Sequence, residues 1–249
     1  MKKFSDIQKY IWWLSVDNYF EIMPKSFAES FKENFKRIIK HKHAKPKQVP
    51  IKGLADCKHL AQSEYAVEFL SENGYRSEML SDFLNEEHLN KNVTLAKKED
   101  IVCYNPKKGM KITQRLIKDL PHYHFVPIQN MTAVEVANLL ERAKVYIDFG
   151  NHPGKDRIPR EAAMAHCVVI TGTRGSARNN VDIAVPEKYK IAESDSEFIK
   201  HFDSVLSEAI YAYEVCVKDF DEYRFKIKNE RGVFEKQALN IFGYNNCKG

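Results

Sequence analysis

Two loops in the middle of the chain concentrate the residue types that bind an anion. Phe149-Gly-Asn-His-Pro-Gly-Lys-Asp-Arg157 follows the apolar run Val145-Tyr-Ile-Asp148, and Gly172-Thr-Arg-Gly-Ser-Ala177 follows the β-branched run Cys167-Val-Val-Ile-Thr171. Between them, Pro159-Arg-Glu-Ala-Ala-Met-Ala165 reads as a short helix. Two strands that each empty into a cationic, small-residue loop build an anion crevice, because such loops bring backbone N–H groups at helix starts together with guanidinium and ammonium groups. Arg157 and Arg174 stand in these loops and suit phosphate oxygens; Asn151, Gly154, Lys155, Gly175 and Ser176 share them. Glu161 offers two acceptor oxygens, which suit a pair of neighbouring hydroxyls. In a first helical turn it would equally favour the macrodipole. His152 reads as an acid, a leaving-group contact or a turn residue before Pro153.

Strands alternating with helices must position these residues, the pattern of a parallel sheet covered on both faces. Tyr10–Leu14 reads as a buried strand closing into a polar tip, Ser15-Val-Asp17-Asn18. Phe27, Phe31, Phe35, Ile38 and Ile39 recur at helical spacing, and the Pro/Lys-rich stretch 45–50 ends that helix. A strand at 59–62, a helix from Ser63 closed by Asn73-Gly74, and a strand at 78–81 complete the first half. The polar run 90–100 marks a junction. Beyond it come a strand at 101–104, the exit loop Asn105-Pro-Lys107-Lys108-Gly109, a helix at 112–120 stopped by Pro121, and a strand at 124–128. Thr132 with Glu135 has the spacing of a capping box. After Pro186 the chain reads as helical to Phe242, with Phe198, Phe202, Val205, Leu206, Ile210 and Tyr213 on one face.

Composition excludes several classes. No run of about 18 apolar residues is present, so no transmembrane helix is expected. Met1-Lys-Lys-Phe lacks an apolar segment behind it, which argues against a secretory leader. The cysteines at 57, 103, 167, 216 and 247 have no zinc-ligand spacing, so free thiols in a reducing cytoplasm are expected, and no metal site. The net charge of +5 is uneven. Lys32, Lys36, Arg37, Lys40, Lys42, Lys45 and Lys47, with His41 and His43, face Glu33 alone between Lys32 and Lys47. That basic face reads as a solvated helix end, or as a contact for anionic lipid headgroups or a phosphorylated acceptor. Nucleic acid is disfavoured because no aromatic platform accompanies the lysines. Neither a GxGxxG nor a Walker A run occurs, which counts against dinucleotide and P-loop readings.

The order of strand, Asn-Pro-Lys-Lys-Gly loop, helix, strand ending in Pro127-Ile-Gln-Asn-Met-Thr132, helix, Asp148–Arg157 and Pro159-Arg-Glu-Ala162 resembles the donor-binding domain of GT-B glycosyltransferases. The likeness covers about 101–189. It implies an α/β fold of two Rossmann-like parallel-sheet domains facing a cleft, followed by C-terminal helices. The expected division is 1–96 for a short acceptor-side domain, 97–192 for the donor-binding domain, and 193–249 for helices packing across both. Carried over, the resemblance implies Ile128 and Met131 near the nucleotide base, Glu161 on the ribose, and Lys107, Arg157, Arg174 and Ser176 toward the phosphates. Arg157, Lys155 and Arg174 would stabilise the leaving nucleoside diphosphate without a metal, and no DxD-type motif is present. Asp17 is the candidate base for the acceptor hydroxyl, with Asp82 as the alternative; the bland reading of Asp17 is a turn-forming Asp-Asn pair.

The sequence departs from the family at three places. His166 stands where relatives carry a small residue before the last strand. The glutamate pair of many retaining members is absent, since Pro153 stands eight positions before Glu161. The N-terminal domain looks truncated: either it is intrinsically short, with a sheet of about three strands, or a second copy or a partner subunit supplies the rest, which an exposed edge at Tyr10–Leu14 would favour. The implied activity is transfer of a sugar from a nucleotide-sugar co-substrate, with no other cofactor, to a capsule, O-antigen or lipopolysaccharide acceptor. Its expected location is the cytoplasm, at the inner face of the membrane where Lys32–Lys47 is engaged. Two other classes remain: a non-catalytic nucleotide-sugar-binding subunit of a split transferase, and another phosphate-ligand enzyme such as an epimerase or phosphotransferase.

Overall fold

A computed structural model describes residues 7–22, 35, 39, 50–89 and 93–243. The helix expected over 27–39 and the basic face of 32–47 lie outside the described residues, Phe35 and Ile39 excepted. Two parallel sheets are present among those described. The first has strand order β1 (Lys9–Trp13), β2 (Cys57–Ala61), β3 (Ser77–Met79), with Tyr10 opposite Lys58 and Leu60 opposite Glu78. Helix α1 (Val16–Ile22) follows β1, and α2 (Glu64–Glu72) joins β2 to β3. The polar tip expected at 15–18 is the start of α1 and not an Asp-Asn turn: the Ser15 hydroxyl accepts from the Asn18 N–H at 3.2 Å. Ser63 caps α2 by accepting from Ala66 N, as its sequence position implies.

A short helix α3 (Glu86–Leu89) leads to the second sheet. It comprises β4 (Glu99–Tyr104), β5 (His124–Pro127), β6 (Ala143–Asp148) and β7 (Val168–Thr171), in the order β5-β4-β6-β7. The crossovers are α4 (Met110–Asp119), α5 (Ala133–Arg142) and α6 (Arg157–Met164). Thr132 and Glu135 form the capping box reciprocally, Thr132 N donating to Glu135 Oε2 at 2.7 Å and Glu135 N to Thr132 Oγ1 at 3.3 Å. Strands β6 and β7 are parallel neighbours, pairing Ile147 with Ile170 and Asp148 with Thr171. Their residues are buried on both faces, which is why each reads as a continuous apolar run. Chain order reverses between β4 and β6, so the crevice of this sheet opens at their carboxyl ends.

Helices α7 (Phe198–Tyr211), α8 (Tyr213–Cys216) and α9 (Asp221–Phe242) close the chain. The face predicted for α7 is buried: Phe198 and Phe202 pack edge-on against Phe149, with ring centres 5.3 and 5.6 Å apart. Helix α9 returns across the first sheet, where Phe234 meets Trp12 and Phe83, and Phe242 meets Tyr10. Strand β1 is an edge strand among the described residues, and these rings cover part of its outer face. No helix among the described residues is long and apolar enough to cross a membrane.

Candidate active site

Three β-strand exits and the starts of two helices, α4 and α1, converge on a cleft of about 1170 Å³. The β4 exit loop supplies Asn105, Lys107 and Lys108, and α4 supplies Met110, Lys111 and Ile112 at its amino end. The loop after β6 supplies Asn151 and Pro153, and the loop after β7 supplies Thr173 and Arg174. From the first sheet, Asp17 and Asn18 close the opposite wall. Gly109 is the N-cap of α4 at φ +59°, and no side chain caps the helix. The first N–H groups of α4 are thereby open to an acceptor from the cleft, reinforced by the helix dipole and by Lys107 and Lys111. A second cavity of about 480 Å³ shares Asn105 and Lys107 with the cleft and is otherwise lined by Pro106, Ile128, Gln129, Asn130, Met131 and Ile158. A chamber that carries the cations Lys107, Lys108, Lys111 and Arg174 thus adjoins a smaller one in which Ile128, Met131 and Ile158 alternate with polar groups.

Of the residues singled out from sequence, the structure brings Asp17, Lys107, Asn151 and Arg174 to the cleft and Ile128 and Met131 to the second cavity. Asp17 sits in the first turn of α1, where its carboxylate accepts from Tyr65 Oη at 3.1 Å and from Asn151 Nδ2. That second bond ties α1 to the β6 loop. Arg174 donates Nε to Glu193 Oε1 at 3.0 Å and Nη2 to the Phe149 carbonyl, so its fork is braced beside the β6 loop.

The remaining candidates lie elsewhere. Arg157 is the first residue of α6 rather than a loop residue, and its Nε donates to Glu161 Oε1 at 2.8 Å. Glu161 is in the second turn, not the first, which removes the macrodipole reading; His88 Nε2 stands 3.6 Å from the same oxygen. Neither Arg157 nor Glu161 lines the two cavities, although Ile158, between them on α6, does. Ser176 is buried, with its hydroxyl donating to the Gly154 carbonyl at 2.6 Å and its N–H to the His152 carbonyl at 2.8 Å. Gly175, at φ +63°, approaches so closely that a Cβ there would come within 2.1 Å of the His152 carbonyl oxygen. Gly154 faces the first sheet, where a Cβ would meet the Leu14 carbonyl oxygen at 2.8 Å. Lys155 turns away from the cleft, its Nζ 2.9 Å from Ser81 Oγ and 2.7 Å from Glu230 Oε1. Asp82, the alternative base, accepts from Arg160 Nη2 at 2.9 Å and lines neither cavity.

His152 is fully buried behind the cleft and belongs to an ionic chain. Its Nδ1 lies 2.7 Å from Asp156 Oδ2 and its Nε2 3.8 Å from Asp148 Oδ1. Burial opposes a charged imidazolium, but the Asp156 bond and the charges of Asp148 and Asp156 outweigh it and hold the pKa above the ordinary histidine value. Burial likewise pushes the Asp156 carboxyl up, and His152 with Lys108 overrides it and holds the group below its usual range. Asp148, His152 and Asp156 offer ligand atoms within 4.8 Å of one another. The donor set does not fit an ion: the two ring nitrogens face opposite carboxylates, Tyr146 Oη and Gly150 N already donate to Asp148, and the Lys108 ammonium sits on Asp156. The chain instead ties the β4 loop, through Lys108, to the β6 loop.

Sequence reasoning missed Asn18, Asn105, Lys111, Thr173, Ile158, Glu193 and Ser194. The one local signal was Gly109 before a helix, a cap without a side chain. The others reach the cavities by tertiary placement.

No family model matches the chain, and no curated protein matches it. Among solved structures, the chain is similar to WaaG, a glycosyltransferase involved in lipopolysaccharide biosynthesis, at 14% identity over 95% of this chain and 75% of that one, with a TM-score of 0.59. HepE of Anabaena, solved with UDP, aligns at 9% identity over 95% and 79%, with a TM-score of 0.58. Sucrose-phosphate synthase of Thermosynechococcus elongatus aligns at 11% identity over 94% and 67%, with a TM-score of 0.62. At these identities the likeness is one of fold: two Rossmann-like units in a GT-B glycosyltransferase-like arrangement.

Proposed function

We propose that this chain is a glycosyltransferase that takes its sugar from a nucleotide-sugar donor without an essential metal. The observation that carries the reading is the pair of joined cavities at the reversal point of the second sheet. One has the apolar side walls of Ile128, Met131 and Ile158, which suit a base. The other has Lys107, Lys111, Arg174 and the open start of α4, which suit a diphosphate. The neighbouring HepE was solved with UDP and with UDP-glucose, which favours a nucleotide-sugar over other phosphate ligands. Protein cations and helix N–H groups aimed at the diphosphate would stabilise it as it leaves. Asp17, across the cleft, is the assigned base for the acceptor hydroxyl. Glu161 takes the ribose in this reading once Arg157 releases it, and Arg157 then joins the phosphate cations.

The acceptor is assigned to the cell-surface glycans, capsule, O-antigen or lipopolysaccharide, with Lys32–Lys47 approaching an anionic membrane face. WaaG's role in lipopolysaccharide synthesis favours the last of these. The second reading is a nucleotide-sugar-binding subunit that needs a partner chain or a second copy. It is favoured by the first sheet, which has three strands among the described residues and from whose unit, among those residues, Asp17 and Asn18 reach the cleft.

Calorimetry with UDP, GDP, CMP and dTDP, with and without magnesium, tests the reading. Binding of one nucleotide independent of magnesium, weakened in Glu161→Ala by about 1–3 kcal/mol, supports it. Hydrolysis of the matching nucleotide sugar by the isolated chain favours the transferase over the subunit. Binding to none removes the donor site.

A further inference from the structure

We propose that the cavity between the carboxyl end of α6 and the start of α9 is a second ligand site, which takes the phosphate of a phosphomonoester. It measures about 310 Å³ and is lined by Leu89, Met164, His166, Asp221, Arg224 and Lys228, together with Phe225. It lies at the opposite end of α6 from Ile158 and shares no residue with the donor cavities. Its existence is independent of the proposed transfer reaction.

Arg224 makes the case. The residue is only 6% exposed, and one face of its guanidinium is committed: Nη2 donates to the Val217 carbonyl at 2.7 Å and to Asp221 Oδ1. Nη1 is buried and has no hydrogen-bond partner among the described residues. A buried guanidinium N–H is costly to leave without an acceptor, and a ligand oxygen that displaces the side chains over Nη1 from the cavity side would supply one. Lys228 adds a second cation at the exposed side of the cavity. The one carboxylate of the lining, Asp221, is neutralised by Arg224, which leaves a net positive site.

His166 reports the same field. Burial, then the positive charges of Arg224, Lys98 and Lys228, push its pKa down to about 4, against the contrary pull of Asp221. An arriving dianion would reverse that field and let the imidazole take up a proton and donate to it. The residue occupies φ +60° immediately after α6, a left-handed position that favours glycine, so the imidazole is kept there at a backbone cost. Leu89 and Met164 provide an apolar floor for the small organic body of the ester.

The test is side-chain nitrogen NMR of the full chain, with His166 assigned by the His166→Gly variant. Inorganic phosphate and glycerol 3-phosphate are titrated at ionic strength held constant with sodium chloride. The expected result is a saturable shift of the His166 signals and a rise of its pKa. Lys228→Ala should weaken the response about tenfold, the scale of one charge-assisted contact. Lys107→Ala, in the front cleft, should leave it unchanged. Vesicles of phosphatidylcholine with phosphatidic acid separate the sources: retention lost in Lys228→Ala assigns the phosphate to a lipid, and soluble binding without retention assigns it to a free ester. The absence of a saturable shift, an equal shift in Lys228→Ala, or its loss in Lys107→Ala overturns the proposal.

Discussion

The two sheets are built alike and stabilised differently. The β4–β7 unit surrounds itself with a core running from Leu84 to Ile227, and its exit loops carry most of the cleft. The β1–β3 unit has a small core of Trp13, Val16, Leu54, Ala61, Ala66 and Leu70, and it borrows its fastenings from its neighbour. Asp182, from the segment after β7, accepts the Glu64 and Tyr65 N–H groups at 2.8 and 3.0 Å and so sits on the amino end of α2. Arg160, fully buried on α6, holds Asp82 of the first unit and Glu230 of α9 at 2.9 and 2.8 Å. The Val16 N–H donates to the Pro153 carbonyl at 3.1 Å and Lys155 N to Gln62 Oε1 at 3.2 Å. The small unit is held in place by the large one, so the position of Asp17 depends on ion pairs and caps that originate in the β4–β7 unit.

Breaking the Arg160 clamp should have the largest effect. Arg160→Ala empties a fully buried position, strips Asp82 of its guanidinium and leaves the buried Glu230 carboxylate to Lys155, and urea unfolding should show a loss of about 3–5 kcal/mol. A core truncation should separate the units more sharply. Leu70→Ala, in the small core, should cost about 2–5 kcal/mol and lower hydrogen-exchange protection in β1 and β2, while the amides of β6 and β7 keep theirs. Equal loss of protection in both sheets would show that they unfold as one. Asp182→Ala should cost about 1–3 kcal/mol and act chiefly on α2, readable as faster exchange at Glu64 and Tyr65.

The pH dependence sharpens the other side of the comparison, because the His152 chain lies wholly in the large unit. A raised His152 pKa contributes stability that is complete below the unfolded value near 6.5 and is lost as pH rises through the folded value. A depressed Asp156 contributes stability present above its unfolded value near 3.8 and lost as pH falls through the folded one. Thermal unfolding should therefore show a contribution from this chain that is fullest at mildly acidic pH and fades toward alkaline pH, and His152→Asn should flatten the alkaline decline. The smallest effect belongs to His166→Gly, which should stabilise the chain by about 0.5–1 kcal/mol by relieving the left-handed backbone.

Much of the fold was legible because its signals are local. The continuous apolar runs at 145–148 and 167–171 are strands buried on both faces, and the Thr132–Glu135 box is closed by contacts three residues apart. The start of α1 was not, since Ser15-Val-Asp-Asn18 serves a turn or a helix cap equally well until β1 fixes the direction of the chain. In the site, loop membership was legible and side-chain direction was not. Lys155 and Arg174 come from similar loops, yet Lys155 is drawn to Ser81, 74 residues away, and Arg174 stays at the cleft. Ser176 reads as a phosphate hydroxyl until the close packing of Gly154 commits it.

In the proposed reaction the two units divide the labour: the large unit binds the nucleotide and the small unit supplies the base. Nucleotide affinity and nucleotide-sugar turnover measured side by side for Lys107→Ala and Asp17→Asn test it most directly. Lys107→Ala should weaken nucleotide binding by about tenfold or more, the scale of a lost bond to a charged group. Asp17→Asn should bind as the parent does and lose turnover. Equal weakening of binding in both variants, or full turnover in Asp17→Asn, would contradict it.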